Sequence, residues 1–188
     1  LDRPTDNLGN VYASKFYGYS PTGLYLSYWY KESPTVSSSM VFTLGGAPRY
    51  ATLAVDGWSG VAASSAVETT YTQNGNSSTT SLQPGSLTPV NDGALLDFVA
   101  FQGDGPASSA GSGFSFHLNA TGIPGTAVGL FTAELIQGAA AAANPTATWA
   151  VADHVIMALV AIIPASYSGG GAVLSRYYYN QHIARMAA

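Results

Sequence analysis

Apolar residues recur along this chain at every second position far more often than at every third or fourth. In "GLYLSYWYK" (23–31), Leu24, Leu26, Tyr28 and Tyr30 form one alternating face, an aromatic period-2 pattern that predicts a strand. "SMVFTL" (39–44) follows. In "RYATLAVDGWSG" (49–60), Tyr50, Thr52, Ala54 and Asp56 then alternate with Ala51, Leu53 and Val55. "AVETTYTQ" (66–73) reads as an exposed strand, and "NGNSS" (74–78) as the turn that ends it. "ALLDFVAFQG" (94–103), "GFSFHLNA" (113–120), "AVGLFTAELIQG" (127–138), "TATWAVA" (146–152) and "HVIMALVAII" (154–163) continue the series. Short strands at this spacing, divided by Gly and Pro, predict an all-β chain folded as a single β-sandwich of jelly-roll or immunoglobulin-like type. "GAAAAAN" (138–144) is long enough for one helical turn and too short for a stable helix.

The pattern changes after Ala165. Residues 1–165 read as the sandwich domain, and residues 166–171, containing "YSGGG", as a Gly-rich hinge. Residues 172–188, "AVLSRYYYNQHIARMAA", read as an aromatic C-terminal arm. Within the domain, the stretches beginning "GLYLSYWYK" and "GLFTAELIQG" open two series of similar order, the echo that two facing sheets of like construction would leave.

Composition narrows the function. Charged residues make up 9% of the 188 residues, against roughly 25% in an average soluble domain. Ser, Thr, Asn, Gly and Ala must therefore cover the surface, which suits a protein packed against copies of itself, or one that sits outside the cell. The net charge of −4 and six scattered basic residues argue against nucleic acid as a partner. Without cysteine there is no disulfide, thiolate metal site or thiol nucleophile. The longest apolar run, "HVIMALVAIIPA" (154–165), is too short for a membrane-spanning helix, so no membrane insertion is expected.

Several stretches together carry a resemblance. "GNVY" (9–12), "LSYWYK" (26–31), "SSSMVFTL" (37–44), "GWSGV" (57–61), "GALLDFVAF" (93–101) and "WAVADHVIMALVAIIPA" (149–165) follow one another in the order of a β-sandwich domain family. That domain recurs in tailed-phage virion proteins, as tail or capsid-decoration modules, and in secreted prokaryotic surface proteins. The chain resembles this family over most of residues 6–165. The resemblance implies a structural or decorating module without catalytic residues. Family members carry one or two further strands before the "GN-x-Y" position, and the tail after Ala165 lies outside the common domain. These departures lead to the expectation that a neighbouring subunit donates a strand, with residues 172–179 as its source. The alternative is that the missing strands belong to the same polypeptide.

Residue by residue, chemistry is sparse. His117, between Phe116 and Leu118, is assigned to the polar face of its strand, and His154 to a turn after Asp153, both solvated. Asp97 in "LLDFVAF" and Glu134 in "FTAELIQ" would make a hydrolytic pair only if they converged in a cleft. A sheet edge or the solvent face is the expected place for each. No nucleophile elbow and no zinc-ligand spacing occurs. The acidic turns lack a calcium-loop series, so no catalytic, cofactor or metal residue is assigned. Asn76 and Asn119 match the N-glycosylation pattern. Trp29, Trp58 and Trp149 are expected as core or core-edge anchors. Tyr17, Tyr19, Arg176, Tyr177, Tyr178, Tyr179 and Ile183 are the interface candidates, because tyrosine offers an apolar ring and a hydroxyl together. The expected role is a structural subunit of a virion or other extracellular assembly, partnered by copies of itself and other structural proteins. A pilus-like filament subunit with strand exchange is the alternative within that class, and a glycan-binding module the alternative outside it.

Overall fold

The strand "LLDFVAFQ" is apolar on both of its faces, and such a strand belongs in the middle of a sheet covered on both sides. The computed structural model, which describes residues 3–19, 24–45, 52–102, 106–111, 113–121, 129–165 and 175–177, places it there. Its strands in chain order are β1 (Thr5–Asp6), β2 (Ala13–Tyr19), β3 (Tyr25–Tyr30), β4 (Phe42–Thr43), β5 (Gly57–Ser59) and β6 (Val67–Leu82). β7 (Leu95–Gln102), β8 (Ala107–Ser109), β9 (Ser115–Ala120), β10 (Gly129–Ile136), β11 (Ala147–Ile162) and β12 (Ser175–Tyr177) complete the set. The described residues contain no helix, and residues 139–144 form an irregular connection with one bridge at Ala143. The architecture is all-β: one large sheet accompanied by smaller ones.

The main sheet runs β6-β11-β7-β10-β9, with β8 paired to the first part of β11. β2–β3, β1–β4 and β5–β12 are separate two-stranded pairs. Two expected boundaries are corrected. The "NGNSS" stretch does not turn; β6 runs through it with a register shift between Asn76 and Thr79, because its partner is β11 and not a returning neighbour. Likewise Ala147–Ile162 forms one strand, with register shifts around Asp153 absorbing the break predicted there. Of the strand expected at 49–60, only Gly57–Ser59 is one among the described residues.

Alternation divides the side chains of the main sheet between two faces. Leu96, Phe98 and Ala100 of β7 join Phe131 and Ala133 of β10 and Val155, Met157 and Leu159 of β11 in one core. Phe98 meets Phe131 edge-on at 5.1 Å, and Phe116 adds a second edge-on contact to Phe131 at 5.5 Å. Leu87 and Ala110 from the connections, with Ala107 of β8 and Trp149 of β11, close this face. Leu87 and Ala143 pin two of those connections together by mutual backbone bonds of 2.9 and 2.8 Å.

On the opposite face, Val99, Ile156, Ala158 and Val160 meet the β2–β3 hairpin through Phe16 and Leu26. Phe16 stacks on Tyr28 at 5.8 Å and on Tyr71 at 5.0 Å. Lys15 fastens the hairpin to β6 by donating to the Glu68 carbonyl while lying 5.5 Å over the Tyr71 ring.

Candidate functional site

The second face of the sheet is only half apolar. Asp97 shares that face with Leu95 and Val99, and the β7–β10 register sets it directly opposite Glu134. Directly opposed residues bring their Cβ atoms to about 5 Å, so the two carboxyl groups that the sequence left apart are neighbours. The expectation that they lie at an edge or in solvent is wrong for both. β7 and β10 are interior strands, and Asp97 is 2% exposed. The reason is that the hairpin covers the face that alternation alone would leave to water. Tyr28 of β3 reaches down from the hairpin and donates its hydroxyl to Asp97 Oδ2 at 2.7 Å. Burial, with the charges of Asp97 and Asp56 adding to it, pushes the Tyr28 hydroxyl well above its usual pKa.

His117 joins the same group. A register shift in the β9–β10 ladder between Thr132 and Ala133 lets β9 present it to Glu134, with Nε2 2.7 Å from Oε2. Its side chain is 7% exposed, so the solvated histidine expected from the sequence is corrected. Trp58 of β5 packs edge-on against the imidazole at 5.8 Å. The His117–Glu134 contact is close but is not an aligned hydrogen bond. Burial first, and the nearby Asp56 charge second, push the Glu134 carboxyl up to about 7. Thr132, on the same face two positions earlier, is 3% exposed, and its hydroxyl has no hydrogen-bond partner. Three carboxylates, an imidazole and a phenol thus converge beneath β5. Among the described residues, no group of three or more His, Asp or Glu side chains is placed to hold a metal ion.

His154, by contrast, is exposed on β11, and its amide donates to Asp153 Oδ1 at 2.7 Å. Trp149 is core, 5% exposed, whereas Trp29 and Trp58 are half-buried. Asn119 grips Ala107 with both ends of its amide, accepting from the backbone amide at 3.0 Å and donating to the carbonyl at 2.7 Å. A glycan on its nitrogen would break that grip.

The interface candidates fare unevenly. Tyr17 and Tyr19 lie in β2, opposite Ser27 and Tyr25. Arg176 and Tyr177 lie in β12, opposite Trp58 and Gly57. Tyr178, Tyr179 and Ile183, like the 166–171 hinge, lie outside the described residues. β12 pairs with β5 of its own chain.

Two surfaces bear on association. The outer edge of β6 is blunted by its own side chains. Asn74, Asn76 and Thr79 accept from the amides of Gly75, Ser78 and Ser81 at 2.8, 3.0 and 3.1 Å. At the β1–β4 end, Asp6 accepts from the Leu8 and Asn10 amides, the Asn10 side chain and the Tyr12 hydroxyl. Burial alone would raise its carboxyl, but these bonds hold it down at about 2. Asn10 exchanges bonds with the Thr35 backbone, and Asn7 with Val41 and Ser39. This frame holds Val11, Val36 and Val41 in solvent at 63%, 52% and 59% exposure. The three valines come from separate segments of the chain, so their shared frame is not visible in the sequence.

Comparison of the chain with protein families, curated proteins and solved structures finds no match to any of them.

Proposed function

We propose that the chain is a non-enzymatic structural subunit whose copies pack against one another in an extracellular assembly. A virion component, in the decoration, capsid-associated or tail class of the family it resembles, is the form favoured, and a jelly-roll or immunoglobulin-like sandwich the fold proposed. The observation that carries the reading is three exposed valines set in one hydrogen-bonded frame. Val11, Val36 and Val41 are exposed apolar side chains held out by a network of Asp6, Asn7 and Asn10 hydrogen bonds, on a surface with little charge to keep copies apart. The blunted β6 edge shifts the emphasis from edge pairing to this apolar contact.

Mass photometry of the full chain beside V11D/V36D/V41D tests it. The three sites are exposed, so the substitutions leave the core alone. Assembly by the parent chain that disappears in the variant supports the reading, and assembly that persists, or a parent that stays monomeric at high concentration, refutes it.

One observation favours a second reading, an acid–base hydrolase: the opposed Asp97 and Glu134, with the Glu134 carboxyl held near neutrality. Its weakness is access, since Asp97 is 2% exposed. Hydrolysis of a glycan substrate that is abolished by D97N and by E134Q would establish it over the structural role.

A further inference from the structure

The two Asn-x-Ser/Thr stretches, at Asn76 and at Asn119, are alike as sequence, and the fold treats them differently. Asn119 spends both ends of its side-chain amide on one residue. Its Oδ1 accepts from the Ala107 amide at 3.0 Å, and its Nδ2 donates to the Ala107 carbonyl at 2.7 Å. A sugar bonded to that nitrogen would have to enter where Ala107 of β8 lies.

Asn76 stands on β6, the terminal strand of the main sheet. It is paired with Val155 of β11, and the next pair along is Thr79 with Asp153. Ser77 and Ser78 together therefore stand against the single residue His154, which makes a bulge on an outer strand. There the Ser78 amide donates to Asn76 Oδ1 at 3.0 Å. Asparagine closes the same loop, from its side chain to the backbone two residues on, in turns, and here the loop joins the first residue of the motif to the last. Asn76 and Ser78 are both exposed. Among the described residues, the Asn76 Nδ2 has no hydrogen-bond partner.

We propose that Asn76 is an acceptor for an N-linked glycan and that Asn119 is not. The co-substrate is an oligosaccharide carried on a lipid diphosphate. Asn76 Nδ2 bonds to the anomeric carbon of the first sugar, the bond from that carbon to the diphosphate oxygen breaks, and the nitrogen gives up one proton to a base of the transferring enzyme. The bulge sets the motif in the open. The Ser78 amide on Oδ1 draws electron density towards the oxygen, which makes the nitrogen's protons easier to lose and leaves that nitrogen as the unbonded end. The product also changes the edge. Asn74, Asn76 and Thr79 already occupy backbone amides there, and a glycan adds a hydrated, uncharged cover over the same stretch. The inference concerns one side chain of one copy and stands apart from whether copies assemble.

The full chain, secreted from insect cells behind a cleavable leader, tests it. Intact mass is read before and after enzymatic removal of N-glycans in heavy-oxygen water, and peptide mapping locates the oxygen label. One glycan is expected, with the label at position 76. N76Q and S78A lose the glycan altogether, and N119Q keeps it. A parent chain without a glycan, a label at position 119, or an N76Q chain that still carries a glycan each overturns the assignment. Should the chain be retained inside the cells, the same mapping of the retained chain decides, because transfer precedes export. Should N119Q not fold, the position of the label in the parent chain decides alone.

Discussion

The two faces of the main sheet are built from the same strands and differ in kind. On one, Leu96, Phe98, Phe131, Met157 and Leu159 make an unbroken apolar core closed by connections. On the other, apolar packing under the β2–β3 hairpin gives way to Asp97, Glu134 and His117 beneath β5. The first face can be explained by burial alone. The second buries ionisable groups, which costs free energy unless each finds a partner, and so its stability depends on proton occupancy where the first does not.

The largest effect that can test this contrast is on the apolar face. Phe98→Ala removes a ring packed edge-on against Phe131 and is expected to lower unfolding free energy by about 3–5 kcal/mol, at every pH tried, in urea titrations. Gly111→Ala, in a connection over the same face, sets a Cβ 2.8 Å from the Thr146 backbone nitrogen at a φ of +93°. A loss of about 1–3 kcal/mol is expected, and no loss would mean that connection is loosely held.

On the polar face, Tyr28→Phe deprives Asp97 of its 2.7 Å hydrogen bond and is expected to cost about 1–3 kcal/mol. The double variant Y28F/D97L sharpens the comparison. It replaces both hydrogen-bonding partners by apolar groups, and its stability should return to that of the parent or exceed it, as replacement of buried polar pairs often does. A double variant weaker than either single one would mean that the carboxylate is a structural necessity. The smallest effect lies at the β1–β4 end. Asp6, held at about 2, adds stability that is present above its ordinary 3.8 and lost as pH falls towards 2. A carboxyl carbon shift of Asp6 titrating by NMR near the ordinary value instead would show that its hydrogen bonds do not hold in solution.

Local pattern was enough to read β7, β9 and β10, whose predicted spans at 94–103, 113–120 and 127–138 contain Leu95–Gln102, Ser115–Ala120 and Gly129–Ile136. It misread the "NGNSS" stretch and the Asp153 break, because β6 and β11 sustain each other over 16 residues apiece and override local turn propensity. The two halves of the chain are also unlike, so the faint sequence echo does not correspond to two matching sheets. For the acidic group, a signal was present and misjudged. An Asp inside a strand apolar on both faces has no solvent side to occupy, so "LLDFVAF" implied a buried carboxyl. Its partners were not legible. His117, Tyr28 and Asp56 come from strands and loops whose meeting depends on register and on where a hairpin lies down.

The most direct test of the difference between the faces is the unfolding free energy of the parent chain and of E134Q, measured by urea titration at about pH 6 and about pH 8.5. The parent is expected to lose stability between the two while E134Q holds level, so that the variant overtakes it at the higher pH. Parallel behaviour of the two chains would contradict the account, leaving the acidic group a passive part of the core.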